Sequence, residues 1–206
     1  MTEQDYIEYA EQAFDNIVDA LEQIELGKVT ILTGDNGSGK SLIRKVLASD
    51  LKRKNNGEKV IVADSSMDKR TGLHSEMGGG GVFLRDTSWV ATSSNTMNGI
   101  KGLFSCSDDR YIVLDEPEIG MSASMQMSWG KYINDYLTEN KDKYKGVLII
   151  SHSKTLINQL TIADKFINIQ KKTKEEWMNE EPEMIDIEEF EKKSNALYKV
   201  LSNHLK

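Results

Sequence analysis

Apolar residues recur at helical spacing at Ile7, Ala10, Phe14, Ile17, Val18, Leu21 and Ile24, which predicts an amphipathic helix over residues 3–26 with Thr2 and Asp5 as its capping box. The period then changes. Apolar runs at residues 28–33, 60–63, 111–114, 146–150 and 166–170 have the length and β-branched content of buried strands, and Val82, Phe83 and Leu84 suggest a further short one. Helical spacing returns between them, at Leu42, Ile43, Val46, Leu47 and Leu51, at Met97, Ile100, Leu103 and Phe104, and over residues 124–137. A last helix carries Ile187, Phe190, Leu197, Leu201 and Leu205, with Asp186 and Glu189 as its capping residues, and packs on the core or on a partner. Strands alternating with helices predict an α/β fold, a mostly parallel sheet flanked by helices.

Punctuation between these elements is uneven. Asn55, Asn56 and Gly57 form one turn signal and residues 108–110 another. Residues 64–81 have no sustained period and end in four consecutive glycines, a loop signature in which Lys69, Arg70 and His74 read as solvated charges. Ser94, Asn95 and Thr96 are good N-cap types just ahead of Met97. Beyond the last strand, residues 171–174 are basic and 175–183 acidic.

Composition narrows the class without naming a chemistry. A chain of 206 residues suits one domain, here expected to span 1–206, with a core at about 27–170 between a first helix and a C-terminal helical tail. A net charge of −7 argues against a broad basic surface for nucleic acid but leaves room for a local patch. The single cysteine, Cys106, has no partner for an internal disulfide, so a reducing, cytoplasmic setting is expected. The N-terminus is acidic and no apolar run reaches the length of a membrane span.

The chemistry enters at residues 34–41, GDNGSGKS, which fit G-x-x-x-x-G-K-[ST] without a mismatch. Gly34, Gly37 and Gly39 let successive N–H groups turn inward around an anion, with Asn36, Ser38 and Leu42 completing the loop and helix start. Lys40 brings a point charge to the outer phosphates, and the Ser41 hydroxyl is a hard ligand for Mg²⁺. A preceding strand and a following helix place the helix N-terminus toward the phosphates. The second signal is YIVLDEPE at residues 111–118: an apolar strand ends in Asp115, a candidate Mg²⁺ ligand, and Glu116, a candidate base for an attacking water. The run VLIISH at residues 147–152 delivers His152 to the same sheet edge, where a neutral imidazole can bond a γ-phosphate or orient water. Residues 140–142, Asn-Lys-Asp, do not make a guanine-reading motif: the aspartate is one place early and the segment precedes its strand. Tyr6 and Tyr9 could stack on a base but read better as packing residues.

Together the three motifs resemble the ABC-type P-loop ATPases, in the soluble branch with the SMC, RecF and OLD-like proteins. The resemblance covers residues 27–170. By position it implies ATP and Mg²⁺ as cofactors, Ser41 and Asp115 as metal-side ligands, and Glu116, His152 and Lys40 as the catalytic group. Residues 119–122 fall where the family's D-loop lies. Two departures stand out: no glutamine occurs between Gln23 and Gln126, leaving Asp64, Ser65 or Ser66 to stand in for the Q-loop residue, and residues 92–96 replace the L-S-G-G-Q signature. The span between Walker A and Walker B is short for a full helical subdomain. In the family a partner subunit closes over the γ-phosphate, so Ser94, Asn95 and Ser122 become candidates to act in trans in a nucleotide-dependent homodimer. The expected function is ATP hydrolysis coupled to dimerisation or to binding a protein partner, in DNA maintenance or defence; a slow-turnover scaffold and a transporter ATPase subunit are the alternatives.

Overall fold

The computed structural model describes residues 2–54, 62–64, 92–105 and 109–204. In chain order these form α1 (Glu3–Glu22), β1 (Val29–Thr33), α2 (Lys40–Lys54), β2 (Val62–Asp64), α3 (Thr92–Ser105), β3 (Tyr111–Asp115), α4 (Ala123–Glu139), a 3₁₀ turn (Lys141–Lys143), β4 (Gly146–Ile150), α5 (Lys154–Ile157), β5 (Lys165–Asn168), α6 (Lys174–Asn179) and α7 (Ile187–His204). The strands make a five-stranded sheet in the order β2-β3-β4-β1-β5, and every pairing is parallel. The expected α/β sheet flanked by helices is therefore present.

A parallel sheet covered on both faces needs strands that are apolar throughout, and the five residues of β4 are all buried. Side chains alternate between the two faces with the strand period of two. Leu32, Tyr111, Val113, Leu148, Ile150 and Ile167 join Ala10, Ile17, Ile43, Leu47 and Leu197 of α1, α2 and α7. Ile31, Ile112, Leu114, Val147 and Ile149 join Ile100, Phe104, Trp129, Ile133 and Leu137 of α3 and α4. Gly130 lets α4 come close to α5, since a Cβ there would lie 2.8 Å from the Leu156 carbonyl oxygen.

Several element limits differ from the periodicity reading. The α1 capping box is present, with Asp5 N–H donating to Thr2 Oγ1 at 3.3 Å and Thr2 N–H to Asp5 Oδ2 at 2.6 Å. These bonds hold the Asp5 carboxyl below its ordinary range. The helix stops at Glu22, four residues short of the predicted end, and Gly27, at φ 77°, turns the chain into β1. Its apolar stripe is also narrower than expected, because Ile7 and Val18 are exposed. Helix α3 begins at Thr92, so Ser94, Asn95 and Thr96 lie inside the helix and do not cap it. Helix α4 is longer than the predicted 124–137, strand β5 ends at Asn168, and Ile169 and Gln170 belong to a turn. The acidic stretch contains an unforeseen helix, α6, started by a Thr173/Glu176 capping box and anchored by buried Trp177. At the tail, Asp186 Oδ1 accepts from Glu188 N–H and Glu189 N–H at 3.0 and 3.2 Å as expected, but Ile187 is exposed while Leu197 is buried. α7 packs along α1.

The turn at 55–57, residues 60 and 61, Ser65, Ser66, Lys69, Arg70, His74, the four glycines, the strand suggested at 82–84, Cys106, Asp108 and Leu205 lie outside the described residues. No described helix is long and apolar enough to cross a membrane.

Candidate functional site

The site begins where β1 ends. Thr33 is buried in the sheet, and residues 34–39 form a loop that enters helix α2 at Lys40. Gly37 and Gly39 have φ of 74° and 100°, a region L side chains avoid. At Gly39 there is a second constraint, because a Cβ would sit 2.3 Å from Ile17 Cδ1 of α1. Asp35, Asn36 and Gly37 form the exposed crest, Gly34 and Ser38 are buried, Ser41 is exposed at the first turn of α2, and Leu42 packs toward the core.

Lys40 lies across this loop. Its Nζ donates to the carbonyls of Gly34 at 2.8 Å and Asp35 at 2.7 Å. Burial pushes its pKa down to about 8, and the nearby carboxylates of Glu116, Asp35 and Asp115 oppose that shift.

Asp115 closes β3. Arg44, buried one turn beyond Lys40 on α2, brings its Nε to 3.4 Å from Asp115 Oδ2. Glu116 follows with φ 48°, a left-handed backbone that costs a non-glycine residue roughly 1–2 kcal/mol. Its N–H donates to Ile150 O at 2.9 Å, so the strained residue is anchored to β4. Strain of this kind clusters at functional positions.

β4 ends at Ser151 and His152. His152 Nε2 lies 3.8 Å from Glu116 Oε1, too long for a direct hydrogen bond and short enough for both groups to contact one oxygen atom. Burial lowers the His152 pKa, the Lys40 charge lowers it further, and Glu116 and Asp35 pull the other way. The ring is thus neutral at pH 7.

A second carboxylate holds this histidine's backbone. Glu118 is buried, and its Oε1 accepts from Ser151 Oγ at 2.7 Å and from His152 N–H at 3.1 Å. Its Oε2, also buried, has no hydrogen-bond partner among the described residues. Burial pushes the Glu118 carboxyl up, against the bonds from Ser151 and His152 that favour its charged form. Ser153 continues the chain of contacts, its hydroxyl donating to Gln126 Oε1 at 2.7 Å while Gln126 Nε2 donates to Met121 O at 3.0 Å. Glu116, Glu118, Met121, Gln126 and His152 line a cavity of about 370 Å³ with Ile119 and Gly120.

Among the described residues no three His, Cys, Asp or Glu side chains group into a metal cage. A magnesium ion bound with a nucleotide needs only one or two protein oxygens beside phosphate and water. Ser41, exposed at the first turn of α2, and Asp115, partly exposed at the end of β3, carry oxygens of the kind such an ion takes.

Lys40, Asp115, Glu116 and His152, expected at one edge, are brought together. Ser94 and Asn95 lie instead in the first turn of α3, which leans on the turn after Glu116: a Cβ on Gly120 would be 2.9 Å from Thr92 Cβ. Ser122 follows two residues later as the N-cap of α4, exposed and 3.2 Å from Ser124 Oγ. Tyr9 is covered by Lys193 Nζ, 5.2 Å from its ring centroid, and so ties α1 to α7. Arg44 and Glu118 were not singled out by sequence. The only hints were an arginine on the apolar helix after the loop and the second acid of the DEPE run. No known family model matches the chain, and no curated protein matches it.

Proposed function

We propose that the protein is an ABC-type P-loop ATPase that binds Mg-ATP and hydrolyses it, coupled to ATP-dependent dimerisation or partner binding. The observation that carries this reading is the approach of Glu116 and His152 to 3.8 Å beside Lys40 and the glycine loop, from three separate strand ends. A parallel α/β sheet alone is compatible with many functions.

In this reading the loop N–H groups bind the phosphates, and Lys40 leaves the Gly34 and Asp35 carbonyls to pair with them. Ser41 and Asp115 hold magnesium, whose charge offsets that of the outer phosphates. Glu116 takes a proton from water as its oxygen bonds to the γ-phosphorus, and the bond to the β–γ bridging oxygen breaks to release ADP. Neutral His152 hydrogen-bonds the γ-phosphate, while Glu118 and Ser151 fix the backbone that carries it. Positioning and charge stabilisation supply most of the acceleration.

Steady-state ATPase measurement on the wild type and Glu116→Gln tests the reading, with mass determined with and without Mg-ATP. Loss of a general base costs roughly 10²–10⁴ in rate, so the variant should bind ATP and turn over at least about 100-fold more slowly. An ATP-dependent dimer of the variant would support closure by a second copy, with Ser94, Asn95 and Ser122 as the residues to probe across it. A wild type that binds ATP without hydrolysing it, with or without a partner, would sink the enzyme reading in favour of a scaffold. A link to DNA is dropped if DNA and RNA change neither turnover nor mass.

A further inference from the structure

We infer that the nucleoside end of the bound triphosphate lies on the β5 side of the phosphate loop, with its base stacked on Phe190 at the start of α7. The inference rests on the phosphate-loop reading above. Strand order sets the direction. The terminal phosphate has to face Glu116 and His152, which follow β3 and β4, and in the order β2-β3-β4-β1-β5 both strands lie on one flank of β1. A triphosphate is an extended chain, so its other end leaves the loop over the opposite flank, toward β5 and the segments after it.

Those segments touch the loop at two places. Gln170, directly after β5, accepts a long hydrogen bond of 3.4 Å from Asp35 N–H at its Oε1. Phe190 and Ser194 of α7 lie against Gly37: a Cβ there would be 3.1 Å from Phe190 Cε2 and 3.1 Å from Ser194 Oγ. Phe190 is half-buried and belongs to neither apolar cluster of the sheet, so its ring borders the loop instead of filling the core. Between β5 and α7, Lys171, Lys172, Glu176, Asn179 and Glu180 line an open depression of about 540 Å³, in which Lys172 pairs with Glu180. A flat ring at the loop, with the Gln170 amide also against the loop, suits a nucleobase. Stacking tolerates any base, so Phe190 would supply affinity more than selectivity.

The test compares binding of Mg-ATP and magnesium tripolyphosphate to the full chain by titration calorimetry. The wild type should bind ATP about tenfold more tightly than tripolyphosphate, the effect expected of one base–aromatic stack. Phe190→Ala should erase that advantage and leave tripolyphosphate binding unchanged. Phe190→Trp should keep it, and its added fluorescence should be quenched by ATP but not by tripolyphosphate; this readout decides the matter if the alanine variant does not fold. Equal wild-type affinities, equal weakening of both ligands by Phe190→Ala, or no ATP-specific quench would overturn the inference while leaving the phosphate loop intact. Failure of the wild type to bind either ligand would remove the phosphate-loop reading and this inference with it.

Discussion

The two faces of the sheet are packed with different materials. On the face of α1, α2 and α7 the contacts are aliphatic apart from Tyr111, and they run directly into the glycine loop through Ile17 at Gly39. On the face of α3 and α4 stacked aromatic rings join the aliphatic side chains: Phe104 stacks on Tyr136 with centroids 4.4 Å apart, and Trp129 on Tyr132 at 4.9 Å. Among the described residues, that face meets the site at Thr92 of α3 with Gly120, at Gln126 of α4 with Ser153, and at Met121, which lines the cavity. Packing on the first face therefore sets the shape of the glycine loop as well as stability, whereas packing on the second reaches the site at the turn after Glu116 and does not touch the glycine loop among the described residues.

A matched pair of core truncations gives the largest expected effects. Phe104→Ala should cost about 3–5 kcal/mol and Ile17→Ala about 2–5 kcal/mol in urea unfolding. Only Ile17→Ala should also weaken ATP binding by the folded protein, and an equal loss of affinity in both variants would break the comparison. Glu118 stands between the faces, at the junction of β3 and β4, and sharpens the comparison through rate. Glu118→Ala leaves the Ser151 hydroxyl and His152 N–H without their acceptor, so kcat should fall about tenfold, or about 1.4 kcal/mol, with KM for ATP little changed. Glu118→Gln keeps an acceptor oxygen and should recover most of the rate; a Gln variant as slow as the alanine one would refute a positioning role.

The smallest effect is a pH dependence on the loop face. Lys40 has a pKa near 8 instead of its ordinary 10.5, so the empty protein loses this proton as pH rises through 8. Between 8 and 10.5 the unfolded chain holds more protons at this site, and the contribution of Lys40 to stability rises with pH. Binding runs the other way. Phosphate favours the charged lysine, so ATP binding above pH 8 should take up a proton and be about fourfold weaker at pH 8.5 than well below 8. Calorimetry at pH 8.5 in two buffers of different ionisation enthalpy measures that uptake directly, and none would mean the lysine stays charged in the empty loop.

The parts of the fold that sequence made legible are those set by local rules. The glycine loop, the apolar runs of β3 and β4 and the Thr2/Asp5 box each depend on neighbours within a few residues, and the structure has all three. Ends governed by distant contacts were misplaced. α1 stops early because Gly27 N–H bonds Lys145 O, and α6 forms in an acidic stretch because Trp177 finds Phe166, with ring centroids 5.8 Å apart. The site divides in the same way. Lys40, Asp115, Glu116 and His152 are marked by motif spacing, but Arg44 and Glu118 gain their meaning only from partners 71 and 33 positions away.

One consequence follows from the resting place of Lys40. Its ammonium is bonded to two carbonyl oxygens of the loop, so any anion that pairs with Lys40 has to displace them. Chloride or a single sulfate must compete with two good acceptors, while a chelating chain of phosphates engages lysine, amides and metal at once. If the loop binds phosphates as proposed, this sets an entry threshold, counted in simultaneous contacts, that would separate a polyphosphate from simple ions.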